Sequence, residues 1–588
     1  MQKTDIRKTW KMRHPNVSAA MDAKLSYHPV IARLLVQRGI ETEEAAERFF
    51  KMAYERDLHD PFLFRQMEAA VSRIFQAIDA NERITIHGDY DADGVTGSAV
   101  LTNTIRDLLR AKGKPVDSLD FYIPHREREG YGIHDATVDL LAERGTKLLI
   151  TVDCGIACRS QISKAREKGI ETIVVDHHEF PPELPEAILI HPRLPGETYP
   201  FPYLAAVGVA WKVASALYVR AREQGLAVHP QAEKWLLDLV AIATVTDVVP
   251  LVGENRALEH FGLMVLRKTK RLGFLKLYEV ARIEASSIDT WTVGFQIGPR
   301  INAAGRMEHA EAAFRMLIAE TEEEALLYAK KIHEQNILRQ QESGRMYEEA
   351  RKQLLERSET ALLWAYAENW SPGLVGLVAG KLVQEFGKPV LVMGRVGERI
   401  IGSGRSVPGF HITEALRSVA EHLERFGGHP QACGFTAYPD DRLGLFVNGM
   451  VAIAAEQTKI AELIPTLLTD AEITFGEISP AVIDLLERFA PFGEGNPTPV
   501  FLTKTCSVVQ ADMMGAEGKH LRILLRDERG ITQKCVAFGH GADAAQLTPG
   551  RKIDIAYEIG WNEWNGRKDI QCKMVDWRFS NETKSLGD

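Results

Sequence analysis

The stretch RITIHGDYDADG, residues 83–94, decides the fold class of the chain. It is a short β-branched apolar run that ends in a polar turn with one histidine and three aspartates, and the helix-forming stretch SAVLTNTIRDLLRA follows it. The same order recurs at KLLITVDCG, residues 147–155, and at TIVVDHH, residues 172–178. A repeated order of strand, polar turn and helix is typical of a parallel sheet with helices on its faces. The sequence therefore predicts an α/β domain.

Each polar turn of this domain comes directly after a predicted strand. Its side chains are therefore expected at the carboxyl end of that strand, which is the edge where open α/β sheets bind ligands. Asp247 adds a further carboxylate, because it ends a later apolar stretch just before Pro250. The polar residues that we expect to gather there are Asp89, Asp91, Asp93, Asp153, Asp176, His177, His178 and Asp247.

A crevice with this many carboxylates requires bound cations. Neighbouring carboxylates repel one another and raise each other's pKa values unless a cation neutralises them. Oxygen ligands with one or two imidazoles suit Mn²⁺ or Mg²⁺, and the histidines favour Mn²⁺. Two ions roughly 3.5 to 4 Å apart that share a carboxylate would activate a water and bind a phosphoryl oxygen. The predicted chemistry is phosphoester hydrolysis.

The composition is that of an ordinary globular protein. With 588 residues, 45% hydrophobic and 26% charged, the chain excludes disordered, collagen-like and coiled-coil classes, and its length predicts about three or four domains. The formal charge of -9 gives no global basic field that would indicate a nucleic-acid partner by itself. Six scattered cysteines without zinc-type spacing favour reduced thiols. Because we find neither a secretory h-region nor a run of about 18 apolar residues, we expect a cytoplasmic protein without a membrane partner.

The order of patterns along the chain predicts five consecutive segments. Residues 321–359 contain no proline and a single glycine, which favours a long helix. About five strand-like runs fill the last hundred residues, with Asn565-Gly566 as a hairpin signal, and such runs fit an OB-like barrel. The predicted segments are a helical lead-in (1–60), a parallel-sheet catalytic domain (61–318), a connector helix (319–359), a smaller α/β domain (360–458) and an OB-like β-barrel (459–588).

Four of the quoted patterns together resemble a known enzyme family. HGDYDADG, VDCG, DHH and the later Asp247 resemble the four ordered motifs of the DHH phosphoesterase superfamily. FGGHPQACG, residues 426–434, resembles the signature of the DHHA1 domain that accompanies it. GPRINAAGR, residues 298–306, and the five-stranded tail resemble the bacterial branch of single-strand-specific DNA exonucleases. The resemblance implies 5′ to 3′ digestion with release of 5′-mononucleotides, in DNA repair and recombination.

The resemblance also implies roles for individual residues. Asp153 is expected to bridge two metal ions, His177 to bind one of them, and His178 to contact the scissile phosphate. One position stays open, because small phosphoesterases of the superfamily use a histidine where His87 lies, whereas exonuclease-like chains keep GDYDADG. We favour Asp89 there. The expected metal ligands are then Asp89, Asp91, Asp93, Asp153, His177 and Asp247.

Other motifs are expected to bind the DNA backbone. Paired glycines in FGGHPQACG can expose backbone N–H groups to phosphate, and an arginine in GSGRS can hold a phosphate in bidentate fashion, with a 5′-terminal phosphate as the target. The alternative readings are a simple turn for the glycines and surface or intramolecular salt bridges for the arginines. The candidates for substrate binding are Arg126, Asn302, Arg306, Ser403, Arg405, Gly427, Gly428 and His429, with Arg128 and Arg300 as further arginines.

Aromatic side chains of the predicted barrel are candidates for base stacking. Each stacked base is worth about 1 to 3 kcal/mol. The alternative for each ring is a place in the core of the barrel. The candidates are Phe538, Trp561, Trp564 and Trp577, whereas Cys433 is expected to be a small buried filler.

Two other enzyme classes and one binding class compete with the exonuclease. A nanoRNA or cyclic-dinucleotide phosphodiesterase of the DHH-DHHA1 type is the main alternative, and an inorganic pyrophosphatase is a weaker one. A catalytically inactive scaffold would lack metal ligands, whereas every expected position is occupied here. The expected partner is single-stranded DNA with a 5′ end, and the resemblance adds single-strand-binding protein and a RecQ-type helicase. We expect the strand to pass between the catalytic domain and its neighbour, with the barrel holding it.

Overall fold

The computed structural model describes residues 8–15, 25–457, 466–564 and 567–580. Within these ranges no helix is long and apolar enough to cross a membrane. The described residues form two compact units. The first comprises those between 54 and 464 together with 493–495, and the second comprises those within 7–53, 465–492 and 496–588.

The described chain opens in the second unit with strand β1 (Thr9–Met12) and helices α1 (Pro29–Val36) and α2 (Glu43–Phe50). β1 pairs in parallel with the strand Thr466–Thr469. Thr42 caps α2, because its hydroxyl oxygen accepts a hydrogen bond from a first-turn N–H at 3.2 Å. The predicted helical lead-in thus contains a strand as well as helices.

A parallel sheet forms the centre of the first unit's leading domain. Its elements are α3 (Tyr54–Asp57), α4 (Met67–Asp79), β2 (Arg83–Gly88), α5 (Ala92–Ala111), β3 (Leu119–Tyr122), α6 (Asp135–Glu143), β4 (Thr146–Val152), α7 (Arg159–Glu167), β5 (Glu171–Val175) and β6 (Ile188–Ile190). The strands lie in the order β3-β2-β4-β5-β6 and all neighbours are parallel, which confirms the predicted sheet. Ile150 and Val175 enter one core whereas Leu149 and Val174 enter another, so both faces are covered.

Helices then fill the chain up to the second domain of this unit. They are α8 (Ala206–Glu223), α9 (Ala232–Trp235), α10 (Leu237–Thr246), α11 (Gly253–Leu266), α12 (Leu272–Ala281), the short α13 (Thr290–Thr292), a π-helical segment (Val293–Ile297), α14 (Gly298–Met307), α15 (Glu311–Ile318) and α16 (Glu322–Leu355). α16 has 34 residues, or about 50 Å at 1.5 Å per residue, and it confirms the predicted connector helix. Thr321 caps it at the Glu324 N–H.

A smaller mixed sheet forms the second α/β domain of the first unit. Its elements are β7 (Leu363–Ala367), α17 (Pro372–Phe386), β8 (Val390–Val396), β9 (Arg399–Arg405), α18 (Ile412–Ser418), β10 (Leu423–His429), β11 (Ala432–Ala437) and α19 (Asp441–Gln457). The strands lie in the order β10-β11-β9-β8-β7, with only the β7–β8 pair parallel among them. The predicted smaller α/β domain is confirmed.

The C-terminal part of the second unit is a closed barrel. Its elements are β12 (Thr466–Thr469), β13 (Ala471–Glu472), α20 (Pro480–Glu487), β14 (Phe501–Met514), β15 (His520–Arg526), β16 (Thr532–Ala537), β17 (Lys552–Trp564) and β18 (Arg567–Phe579). Strands β14, β15, β16, β18 and β17 are neighbours in this order, and a β14–β17 pairing closes the ring. This confirms the OB-like barrel, although the Asn565-Gly566 connection lies outside the described residues. All six cysteines have free thiols.

A buried ion pair joins three segments of the first unit. Lys212 Nζ on α8 lies 2.6 Å from Glu254 Oε1 on α11, and both side chains are almost fully buried. Tyr199 Oη donates to the other carboxylate oxygen, and the backbone N–H of His59 donates to Oε1 at 2.8 Å. Lys212 Nζ also donates to the His59 carbonyl at 2.6 Å. The pair therefore holds the loop between α3 and α4 against the two helices.

Lys212→Met should lower the free energy of unfolding by about 3 to 5 kcal/mol, because it leaves the Glu254 charge buried without its partner. The double variant Lys212→Met/Glu254→Gln should lose less, since glutamine keeps acceptor and donor atoms without the charge. Urea unfolding followed by tryptophan fluorescence measures both losses. A double variant that is less stable than the single one would contradict the assignment.

Candidate metal centre

The site begins where three parallel strands end. Asp89 follows β2 directly, Asp153 follows β4 directly, and Asp176 follows β5 directly. Because these strands are parallel neighbours, their carboxyl ends meet at one edge of the sheet. Asp247 reaches the same place from the C-terminus of α10, where it is the capping residue.

Two helix N-termini orient two of the aspartates. Asp91 is the N-cap of α5, and its Oδ1 accepts hydrogen bonds from the N–H groups of Asp93 and Gly94 at 2.9 and 3.2 Å. Asp93 accepts from the first N–H groups of α8, with Ala206 at 2.7 Å and Val207 at 2.8 Å. Free N–H groups and the helix dipole favour a negative charge at both places.

The structure brings seven of the expected side chains into three overlapping groups. In each group the candidate ligand atoms lie within 4.8 Å of one another. His177 Nε2 is 3.4 Å from Asp153 Oδ1, 3.6 Å from Asp247 Oδ2 and 3.7 Å from Asp93 Oδ2. The groups are Asp89 with Asp91 and Asp153, Asp93 with His177 and Asp247, and Asp153 with His177 and His178. Asp153 thus belongs to two of them.

Burial and mutual repulsion make four of these carboxylates hard to ionise without a cation. Burial, followed by the charge of Asp91, raises the pKa of Asp93 to about 7. Burial and the charges of Asp93 and Asp91 raise the pKa of Asp247 to about 9. Burial, joined by neighbouring carboxylates, also raises the pKa of Asp89 and Asp153 well above the ordinary range. The cluster therefore needs bound positive charge before all of its carboxylates can ionise.

Several ligand atoms of the cluster have no hydrogen-bond partner. Asp89 Oδ1, Asp153 Oδ1 and His177 Nε2 are buried, and the described residues offer them none. Burial and the neighbouring His178 lower the pKa of His177 to about 4, so its imidazole is neutral and keeps a free lone pair. A set of mainly carboxylate oxygens with one neutral imidazole fits Mn²⁺ or Mg²⁺. The residues present therefore fit a divalent cation.

His178 differs from His177 because it is held by Asp176. Its Nδ1 lies 2.9 Å from Asp176 Oδ1 and 3.1 Å from Tyr131 Oη. Although burial acts in the opposite direction, the hydrogen bond and charge of Asp176 raise the pKa of His178. Asp176 also accepts from the backbone N–H groups of both histidines. Asp176 therefore orients both histidines.

Tyr131 is a residue of this site that the sequence analysis missed. Its hydroxyl donates to the Asp153 carbonyl at 3.2 Å and contacts His178. Asp153 itself has a φ of 62°, and Tyr131 lies between Gly130 and Gly132, which have φ values of 84° and 91°. A tyrosine between two glycines in a loop after a strand was the available signal, since such glycines permit a sharp turn.

The structure separates the two candidates for the open ligand position. Asp89 lies in the cluster, whereas His87 is fully buried outside the three groups. His87 Nδ1 contacts Cys154 Sγ at 3.6 Å, and its ring stacks on Tyr122 at 5.4 Å. Burial lowers the pKa of His87 to about 4. The geometry thus favours Asp89 as the ligand and leaves His87 in the layer behind.

Three arginines gather beside the cluster. The Arg126 guanidinium stacks over the Tyr90 ring at 4.8 Å, and Arg306 donates to the Gly373 carbonyl at 3.1 Å. Arg405 donates to Ser403 Oγ at 2.8 Å. Burial and the charge of Arg126 lower the pKa of Arg306 to about 9, and both causes also lower that of Arg405. Among the described residues, no carboxylate forms a salt bridge with any of the three.

The remaining candidates of the second domain lie on adjacent strands. On β11, Gly434 pairs with Ser403 of β9 and with Gly427 of β10, and Ala432 pairs with Arg405 and with His429. β10 is the edge strand of its sheet, so Gly427, Gly428 and His429 lie at its exposed margin. Ser403, Arg405 and the glycine-histidine motif therefore share one end of this sheet.

Asn302 has a different surrounding from the other candidates. Its Oδ1 accepts from the Ala92 N–H at 2.9 Å, so it joins α14 to the start of α5. This contact places it next to the Asp91–Asp93 loop. Its amide nitrogen is the part that remains for a ligand.

The barrel aromatics divide into two kinds. Phe538 is 51% exposed, whereas Trp577 is half-buried and donates to Asp543 Oδ2 at 2.8 Å. Trp561 donates to Asp484 Oδ1 at 2.9 Å and has Lys568 Nζ over its ring at 4.7 Å. The side chain of Trp564 lies outside the described residues. Cys433 is buried, as expected.

Three stretches of the chain match known domain families. Residues 83–244 match the N-terminal domain of the DHH family, residues 359–456 match the DHHA1 domain, and residues 469–576 match the RecJ OB domain. The single-stranded-DNA-specific exonuclease RecJ of Bacillus subtilis is 38% identical over 574 residues, which cover 96% of this chain and 70% of that protein. The chain belongs to the RecJ family.

Further members of the RecJ family match at least 95% of this chain. The Escherichia coli exonuclease of this name is 32% identical over 586 residues, which cover 95% of this chain and 98% of that protein. The crystal structure of RecJ in complex with Mn²⁺ from Thermus thermophilus has a TM-score of 0.80 at 28% identity. The match covers 98% of this chain and 80% of that chain. The RecJ family relationship therefore includes all three domains.

Mn²⁺ or Mg²⁺ should raise the melting temperature of the metal-free protein, and more so at pH 9 than at pH 5. The pKa values of Asp93 (about 7) and Asp247 (about 9) are raised in the folded state, so the stability that they contribute is complete below about pH 4. It is lost as the pH rises through 7 and 9, and a bound cation offsets that loss. A cation at 100 times its Kd stabilises by about 2.7 kcal/mol. Thermal melts with EDTA or with added metal measure the shift.

Asp153→Asn should abolish most of this metal-induced shift, since asparagine tolerates the backbone conformation but removes the shared charge. Asp117→Ala, at an exposed carboxylate outside the cluster, should keep the shift. An unchanged metal effect in Asp153→Asn would show that the cation binds elsewhere.

Proposed function

We propose that the protein digests single-stranded DNA from its 5′ end and releases 5′-mononucleotides. The observation that carries the proposal is a complete cluster of five aspartates and two histidines in a chain whose three domains all match the RecJ family. The RecJ OB domain disfavours the nanoRNA or cyclic-dinucleotide phosphodiesterase alternative. An intact set of ligands disfavours an inactive scaffold.

Two groups of side chains are suited to hold divalent cations. Asp89, Asp91 and Asp153 form one, and Asp93, His177 and Asp247 form the other, with Asp153 within 3.4 Å of His177. We propose Mn²⁺ or Mg²⁺, the ions named for the Thermus thermophilus structures. When bound, such ions polarise a phosphoryl oxygen and lower the pKa of the attacking water.

His178 is the residue that we assign to the scissile phosphate. With Nδ1 bonded to Asp176, the raised pKa favours the imidazolium form, in which Nε2 also carries a proton and can donate a hydrogen bond to a phosphoryl oxygen. The water oxygen bonds to phosphorus while the bond from phosphorus to the 3′ oxygen of the terminal nucleotide breaks. The attacking water loses one proton to solvent, and the 3′ oxygen takes one from solvent and leaves as a hydroxyl. The shortened strand retains the phosphate at its new 5′ end.

The arginine cluster is suited to the 5′-phosphate of the strand. Arg126 lies near both Asp89 and Arg405. Its charge opposes the rise that burial causes in the pKa of Asp89, and it lowers the pKa of Arg405. Guanidinium groups without carboxylate partners bind phosphate well, and Ser403 adds a hydroxyl. We assign Gly427, Gly428 and His429 to the adjoining backbone, with Arg306 and Asn302 beside the Asp91 loop. Each cut produces a new 5′-phosphate that fits the same cluster.

The cellular setting is also part of the proposal. We infer that the protein acts in DNA repair and recombination, with single-strand-binding protein and a RecQ-type helicase as partners, because the family resemblance indicates them. A nuclease of this kind works where DNA is unwound, so we propose a cytoplasmic location. The barrel aromatics, above all the exposed Phe538, are proposed contacts for the strand.

Digestion of end-labelled DNA tests the function. With Mn²⁺, the protein should release mononucleotides from the 5′ end of single strands but leave duplex and RNA largely intact. Asp153→Asn should lower turnover at least about 1,000-fold while single-strand binding persists, since the shared charge is lost and the fold is kept. Preferred cleavage of a dinucleotide or of RNA, with long DNA left intact, would instead favour the phosphodiesterase alternative.

Arg405→Ala should reduce the preference for a 5′-phosphate. A charged hydrogen bond contributes about 1.5 to 3 kcal/mol, which corresponds to a loss of about 10- to 150-fold in kcat/KM on 5′-phosphorylated strands. Strands with a 5′-hydroxyl should change little. Arg399→Ala is the matched control, because Arg399 lies at the other end of β9 and pairs with Glu424. Equal losses on both substrates would contradict the assignment.

A further inference from the structure

Two large aromatic side chains lie exposed side by side in the first unit. Trp291 is 57% exposed and Phe295 is 68% exposed, and their rings stack with centroids 5.5 Å apart and planes 24° apart. Exposed aromatic area of this size is unfavourable in water unless a ligand covers it. A stacked pair presents flat faces, which are suited to another ring.

The backbone holds this pair in a fixed orientation. Asp289 caps the short α13, because its Oδ1 accepts from the N–H and the hydroxyl of Thr292 at 2.8 Å each. The chain then continues as the π-helical segment 293–297, in which Val293 and Ile297 are fully buried in the core. These two residues anchor the segment from below while Phe295 faces outward. π-Helical turns of this kind are frequent at functional sites.

The π-helical segment that carries Phe295 packs against the end of the helix that precedes Asp247. Gly294 lies against Val245 Cγ1, and Gly298 lies so close to Thr246 Cγ2 that a Cβ on it would be 2.2 Å away. Val245 and Thr246 are the last residues of α10, and Asp247 of the metal cluster follows them directly. The π-helical segment is therefore seated on the end of the helix that delivers Asp247.

Positive charge lies on the helix that follows the π-helical segment and on the helix packed against it. Arg300, one turn after the segment, donates to the Gln296 carbonyl at 2.5 Å and to His333 Nδ1 on α16 at 3.2 Å. Burial and the charge of Arg339, also on α16, lower the pKa of Arg300. Within the described residues neither arginine forms a salt bridge with a carboxylate. Exposed aromatic faces together with guanidinium groups that have no carboxylate partner suit a ligand that carries both bases and phosphates.

We propose that Trp291 and Phe295 form a nucleobase-stacking platform for the single strand, with Arg300 and Arg339 binding the phosphates beside it. This inference rests on the proposed exonuclease function. Release of mononucleotides leaves a single nucleotide on the 5′ side of the cut. The platform therefore takes a base on the 3′ side, and we place it beyond the second nucleotide, where a dinucleotide does not reach. The contact is tolerant of sequence because every base has a π-face.

The double variant Trp291→Ala/Phe295→Ala tests the platform in the full chain. Its KM for a 5′-phosphorylated 20-nucleotide oligo(dT) should rise about 5- to 100-fold, with kcat/KM on the dinucleotide unchanged. Trp291→Phe/Phe295→Tyr should restore most of the KM, because rings are retained. Leu445→Ala, at a 56% exposed side chain on α19, is the matched control and should change neither substrate.

A scan with abasic sites separates DNA contact from an effect on the fold. In the Asp153→Asn background, fluorescence anisotropy of oligo(dT) with one missing base should show weaker binding at particular positions 3′ of the first bond. In the aromatic double variant of the same background, removal of the base at those positions should not weaken binding any further. An additional full loss there would overturn the platform.

Two other results of the kinetic comparison would decide against the platform. Equal losses of kcat/KM on the dinucleotide and the 20-nucleotide strand would show that the rings support Asp247 rather than DNA, and no loss on either would assign the rings to a protein partner. Both results overturn the proposal. If the unmodified protein binds single strands without cutting them, the exonuclease function fails, whereas the abasic scan still decides for or against the platform.

Discussion

Repulsion among buried carboxylates at one edge of a parallel sheet is the constraint on which the rest of the structure depends. The parallel sheet and the end of α10 bring five aspartates together, and burial raises the pKa of four of them, Asp89, Asp93, Asp153 and Asp247. The N-termini of α5 and α8 relieve part of the repulsion, because their N–H groups hold Asp91 and Asp93. What remains unpaired are the atoms that face a cation. The topology of the sheet thus creates a site that requires bound metal.

A second, opposite imbalance lies beside the first. Arg126, Arg306 and Arg405 come from two domains of one unit and lack carboxylate partners among the described residues. A formal charge of -9 for the whole chain conceals this local excess. In the proposed function, the phosphates of a DNA strand would neutralise the arginines and the bound cations would neutralise the aspartates. We therefore propose that this arrangement of charges favours recognition of the backbone over recognition of bases.

The sequence was sufficient wherever the signal was local. Strands followed by aspartates predicted the sheet, its edge and six members of the cluster, and the end of a later apolar stretch predicted the seventh, Asp247. A stretch without proline predicted α16. Contacts between distant segments were not readable: Tyr131 touches His178 from 47 positions away, and β1 pairs with a strand more than 450 residues later. The Trp291 and Phe295 spacing looks like an ordinary helix face, since a π-helical turn leaves no periodic signature.

Asp153 shows how the chemistry limits the stability of the fold. It belongs to two of the three metal groups, yet its φ of 62° is one that glycine adopts without strain and most other residues avoid. A descendant of this fold that no longer cut DNA would gain stability by exchanging this aspartate for glycine. Glycine at the position directly after β4 would therefore mark a lineage that kept the fold after its catalytic role had ended.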